Sequence, residues 1–168
     1  MKTKCSKWIG IFILFLSAYS VSAQYSTGLG IRFGDPSRGL TVIQYFDPKS
    51  RGAADFIFSS QYKGLCFTGL YEVHSKNHNE NIELAKVGFY LGVGAHGGAY
   101  HENAYYKNPT SDKKIIAAGF DAIAGIEWKL PNIPVLLSAD LKPFFDLTSS
   151  GRQLNYLDYA VSLRYLFY

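Results

Sequence analysis

Methionine occurs once in this chain and cysteine twice. Cys5 lies in the basic N-terminal segment, so Cys66 stands alone in residues 24–168. A disulfide within that stretch is excluded, and no Cys/His spacing suits a metal. Charged residues make up only 18% of the chain. No apolar run of spanning length follows residue 23, which excludes a helical membrane protein. It does not exclude a membrane barrel, because barrel strands alternate and escape hydropathy windows. Long helical periodicity is also missing.

What is abundant is aromatic residues and glycine: 13 Tyr, 12 Phe and 16 Gly. That pairing favours β structure. The N-terminus reads as a targeting segment. Lys2, Lys4 and Lys7 precede the apolar stretch Trp8 to Leu16, and Val21-Ser22-Ala23 forms a small-residue cleavage site. Residues 1–23 are therefore expected to be a cleaved signal peptide, with 24–168 as one barrel domain. Removing three lysines and no acid takes the formal charge from +4 to +1. The basic balance thus gives no electrostatic case for nucleic acid.

Alternation then organises the chain into eight predicted strands. In the first, Leu29, Ile31 and Phe33 oppose Gly28, Gly30 and Arg32; a Pro/Gly turn over 35–39 follows. The second covers Leu40 to Phe46, with its facing unassigned. The third sets Ala54, Phe56 and Phe58 against Asp55, Ile57 and Ser59. The fourth sets Phe67, Tyr71 and Val73 against Thr68, Glu72 and His74, with Cys66 on the polar side. After a polar loop over 75–85, Lys86 to Gly98 forms a glycine-rich fifth strand carrying His96. A second polar stretch over 101–114 reads as an exposed loop.

The sixth strand, Ile115 to Leu130, carries Asp121 and Glu127 among small residues and Phe120, Ile126 and Trp128 on its apolar face. The seventh, Val135 to Leu147, carries Asp140 and Lys142; Pro143 suggests a bulge or the rim. A loop over 148–155 leads to the eighth strand, Tyr156 to Tyr168. There Leu157, Tyr159, Val161, Leu163, Tyr165 and Phe167 form one apolar face, and Arg164 faces the other way.

Eight strands place both termini on one side. The expected fold is all-β: an eight-stranded antiparallel up-and-down transmembrane β-barrel, apolar outside and polar inside. Arg32, Asp55, Glu72, His74, His96, Asp121, Glu127, Asp140, Lys142 and Arg164 should form a structural charge network in the lumen, with Arg164 meeting acids such as Asp140 or Glu127. Tyr62, Tyr71, Trp128, Phe145 and Tyr165 could form interfacial girdles.

The segments Leu65 to His74, Gly92 to His96, Gly119 to Glu127 and Ser138 to Pro143 resemble a family of small outer-membrane β-barrel proteins of Bacteroidetes-type bacteria. The chain is also similar in build to the OmpA transmembrane domain and OmpX. The resemblance implies a Gram-negative outer-membrane location and a monomer surrounded by lipid and lipopolysaccharide. It implies no defined activity. It further implies that Tyr159, Val161, Leu163, Tyr165 and Phe167 serve as the C-terminal signal read by the barrel-assembly machinery; the extra Tyr168 departs from the family's aromatic terminus.

Chemistry-bearing alternatives are weak. Glu72, His74 and His96 carry no metal-ligand spacing, and a hydrogen-bonded network accounts for them. His101 with Ser111 or Ser149 lacks any nucleophile motif. The expectation is a structural or surface-interaction barrel that is not an enzyme and uses no metal or cofactor. The alternatives are a narrow channel for small solutes and a lipid-modifying enzyme at the membrane rim.

Overall fold

A computed structural model describes residues 27–46, 51–75, 87–106, 113–148 and 153–167. The expected signal segment, most of the 75–85 loop, Ser111, Ser149 and the final Tyr168 lie outside the described residues. Eight antiparallel strands close into one barrel in sequence order: β1 Thr27–Asp35, β2 Arg38–Tyr45, β3 Gly52–Gln61, β4 Gly64–His74, β5 Val87–His101, β6 Lys114–Lys129, β7 Val135–Thr148 and β8 Gln153–Phe167. Closure is made by β1 against β8, from Thr27↔Phe167 to Asp35↔Tyr159. Both ends of the described chain therefore lie at the same end of the barrel.

The register fixes the shape. Starting at Leu137, paired positions lead through Leu163, Ile31, Leu40, Phe58, Phe67, Gly97 and Ala118 back to Leu147 on the starting strand. One circuit thus climbs from position 137 to 147, a stagger of ten residues. With eight strands spaced ~4.8 Å apart and ~3.3 Å per residue, that stagger tilts the strands by about 40°. Every residue on the path faces outward. The barrel wall is wound by an apolar row.

Facing follows the period of two in all eight strands. On β2, which alternation left unassigned, Thr41, Ile43 and Tyr45 point inward and Leu40 and Val42 outward. Several boundaries move. The first turn is only Pro36 and Ser37, because β2 begins at Arg38. The stretch 101–114 is not wholly loop: β5 continues to His101, and a single helical turn, α1 (Glu102–Tyr105), follows. The 148–155 loop likewise shortens, since β7 reaches Thr148 and β8 starts at Gln153. Polar side chains hid these strand ends, because strand pairing beyond the apolar band needs no apolar face.

Pro143 makes neither a bulge nor a rim. It lies within β7, and the β6–β7 register is the same on both sides of it, Asp121↔Phe144 and Ala124↔Leu141. Between those pairs the ladder is interrupted, while on the other side Pro143 still pairs with Leu157. A missing N–H toward β6 explains a gap without a slip.

The distribution of polarity is reversed relative to a water-soluble barrel. Large apolar side chains are exposed all around the outside, among them Phe33 at 62%, Leu91 at 65% and Ile116 at 69%. Arg32, Asp55, Glu72, Asp158 and Ser162 are wholly buried inside.

Candidate functional site

The lumen is the one place where chemistry-bearing side chains gather among the described residues. Alternate positions of every strand project into it, and three groups of contacts stack along the axis. Near the terminal end, Nδ1 of His74 lies 3.0 Å from both carboxylate oxygens of Glu127, and its Nε2 lies 3.3 Å from Glu72. The rings of Tyr45 and Tyr90 flank this imidazole at 5.2 and 5.3 Å.

Arg164 comes next. Its Nη2 donates to Asp55 at 2.7 Å, Nη1 to Ser138 at 2.9 Å and Nε to Thr41 at 3.1 Å. Thr41 also donates to Asp55 at 2.6 Å. Arg164 thus meets Asp55 in place of the expected Asp140 or Glu127. The reason is geometric: Asp140 is engaged by Arg32, and Glu127 by His74.

Toward the opposite end, which we call the mouth, Arg32 forks onto Asp140 with two contacts of 2.7 Å, while the Tyr90 hydroxyl donates to the same carboxylate at 3.0 Å. Arg32 also lies 3.3 Å from Asp158. Asp158 accepts from Ser37 at 2.5 Å and sits 3.6 Å from Lys142. Lys142 donates to Asp121 at 2.9 Å, and Asp121 meets Nδ1 of His96 at 2.7 Å. Nε2 of His96 lies 2.6 Å from Asp146, which accepts the Tyr105 hydroxyl of α1.

All ten expected lumen residues are therefore buried, but in distinct groups. Glu72 and His74 touch; His96 belongs to a different group. Each imidazole has carboxylates of two different residues within 3.3 Å of its opposite nitrogens. Ligands to a metal converge on one point, whereas here the carboxylates stand on opposite sides of each ring. Among the described residues no cluster of His, Cys, Asp and Glu is arranged to hold a metal.

Asp146 and Asp158 escaped the expected set, although both share parity with residues in it: Asp146 with Asp140, and Asp158 with Arg164. With them, seven buried acids face Arg32, Lys142 and Arg164 among the described residues, and the two histidines are the remaining bases. Tyr105 carried no signal at all, because it lies beyond the alternating pattern.

Glycines make space for the longest side chains. A Cβ on Gly125 would overlap the ring of Tyr90, and one on Gly98 that of Tyr100. Apolar and aromatic side chains pack together toward both ends of the lumen. Ile43, Tyr45, Ala53, Leu136 and Leu166 cluster at the terminal end. Tyr62, Tyr100, Tyr105, Tyr106 and Tyr156 gather at the mouth. Tyr62 reaches that cluster from a turn with positive φ, 49° at Tyr62 and 55° at Lys63. Its ring stands edge-on to Tyr105 at 5.1 Å. Burial holds the phenols of Tyr62 and Tyr105 above the ordinary tyrosine range, so both remain neutral donors.

His101 ends β5 at the mouth. On β8, Tyr159, Val161, Leu163, Tyr165 and Phe167 all face outward and are exposed. Tyr165 and Phe167 pack edge-on at 4.9 Å. Phe46 stacks beside Tyr71 at 6.0 Å on the same outer surface.

No protein-family model, curated protein or solved structure matches the chain.

Proposed function

We propose that this chain is an integral outer-membrane β-barrel with a structural or surface-interaction role. One observation carries the reading: in a closed barrel every strand exposes large apolar or aromatic side chains on the outside, while seven acids, Arg32, Lys142, Arg164, His74 and His96 are buried inside. In water that outer surface would be a single very large apolar patch, far beyond what soluble monomers tolerate. In lipid it is the stable arrangement, because closure also pairs the backbone of the spanning strands. The N-terminal targeting pattern and the aromatic end of β8 agree with export and assembly by the barrel-assembly machinery.

The filled lumen argues for a structural role over a conduit. Apolar or aromatic clusters lie on either side of an ion-paired interior, and a solute path would have to pass both. Toward the mouth, Ser37 does meet a carboxylate, Asp158, but both are buried in the ion-paired interior and not presented at the outer surface of the rim. The test is membrane fractionation combined with gel migration of unheated and boiled samples. A membrane-resident protein whose unheated form migrates differently from the boiled one is expected. Soluble periplasmic material without such a shift would overturn the proposal.

A further inference from the structure

The apolar band is uneven in height around the barrel. On β6 the outward row Ile116, Ala118, Phe120, Ala122, Ala124, Ile126 and Trp128 is unbroken and exposed. Six two-residue steps at the barrel tilt give it about 30 Å along the axis. On β1 the corresponding row is Leu29, Ile31 and Phe33, about 10 Å, and it runs into Thr27 below and Asp35 above. On β2, Leu40 and Val42 lie between Arg38 and Gln44, and on β3 the row ends at Ser60. A bilayer presents an apolar band of about 25 Å. The β5–β7 wall covers it; the β1–β3 wall does not.

Asp35 and Arg38 are both exposed and outward there. Neither has an ion-pair partner among the described residues. Through the Phe33↔Arg38 pair and the strand stagger, they stand within about one residue rise of the same depth. Charges facing lipid at that level are costly. A second copy with the same membrane orientation, related by a two-fold axis along the membrane normal, places its Arg38 against Asp35 and its Asp35 against Arg38. Such an isologous contact is self-complementary only when both signs lie on one patch at one depth.

We propose that the β1–β3 wall is a dimer interface, occupied by the same wall of a second copy of this chain. This rests on the membrane reading above. The interface has an apolar centre of Ile31, Phe33 and Leu40 with the Asp35/Arg38 pair at the mouth side. Thr27 and Gln44, already bonded to each other at 2.6 Å, lie at the terminal side.

The test is disulfide trapping of the full chain in phospholipid vesicles, with gel migration of unheated samples read in parallel. Leu40→Cys, near the axis, should yield a covalent dimer; Ala122→Cys, on the opposite wall, should not. In the Leu40→Cys background, Asp35→Lys or Arg38→Glu alone should reduce trapping at least tenfold. The double swap Asp35→Lys/Arg38→Glu should restore it, because it rebuilds both contacts with the signs exchanged. Folded, membrane-resident barrels that trap equally at 40 and 122, or not at all, would leave lipid as the cover of this wall and overturn the dimer alone. Failure of the wild-type chain to give a folded membrane form would overturn the membrane reading and the dimer together.

Discussion

Arg32 and Asp140, 108 positions apart in the chain, meet inside the barrel through two N–H···O contacts of 2.7 Å, with both side chains wholly shielded from solvent. The fork is held by β1 and β7, which flank β8 in the closed sheet, so it ties two strands that share no backbone ladder. One further donor and one further acceptor complete it: the Tyr90 hydroxyl donates to Asp140, and Arg32 reaches Asp158.

Breaking this pair on one side leaves a buried charge without its partner. Arg32→Met should therefore cost about 3–5 kcal/mol. Adding Asp140→Leu removes the orphaned carboxylate and should recover more than half of that loss. Urea unfolding of the refolded barrel in vesicles measures both. A double variant no more stable than Arg32→Met would show that the cost does not come from the stranded carboxylate.

The glycines of β5 and β6 make a second contrast. A Cβ on Gly125 runs into the Tyr90 ring, whereas one on Gly97 meets nothing within 4 Å. Gly125→Ala should destabilise by about 1–3 kcal/mol through overpacking, and it should displace the Tyr90 hydroxyl from Asp140. Gly97→Ala should be neutral or slightly stabilising, since alanine lowers the entropy of the unfolded chain. Equal effects from the two substitutions would refute the packing account.

The β3–β4 turn places Tyr62 and Lys63 at positive φ, where glycine or asparagine is favoured. Lys63 is exposed, so Lys63→Gly should relieve strain and stabilise the barrel by about 0.5–1 kcal/mol. Tyr62→Gly should do the opposite, because its ring packs on Tyr100, Tyr105 and Tyr156. Thermal unfolding followed by gel shift distinguishes the two signs.

Much of this architecture was legible in alternation alone. The inward parity of Arg32, Asp55, Glu72 and Arg164 follows from a period of two that any strand obeys. Which of them pair does not follow, because partners across a closed lumen depend on stagger and tilt, and Arg164 accordingly reached Asp55. On β2, apolar residues stand on both faces, Ile43 inward and Leu40 outward, so parity alone left its facing open. Tyr105 was invisible for a different reason. It packs at the mouth from a one-turn helix whose placement is set by tertiary contacts with Asp146 and Tyr100, and one turn carries no periodic signal.

The outer surface offers the sharpest distinction between lipid and water. Val93 is 63% exposed, pairs with Tyr71 and Ala122, and lies near the middle of the tall apolar wall. Ile116 is comparably exposed at 69%, but it is the last apolar residue before Lys114 at the mouth. On a barrel surrounded by water, replacing either exposed side chain by arginine should change stability by less than about 0.5 kcal/mol. In a bilayer the two positions differ in depth. Val93→Arg should then cost about 2–4 kcal/mol and Ile116→Arg about 0–1 kcal/mol. Equilibrium unfolding in vesicles, on both variants and the parent chain, reads this difference directly. A depth-dependent penalty is what lipid contact requires, while two equally silent substitutions would place this wall in water.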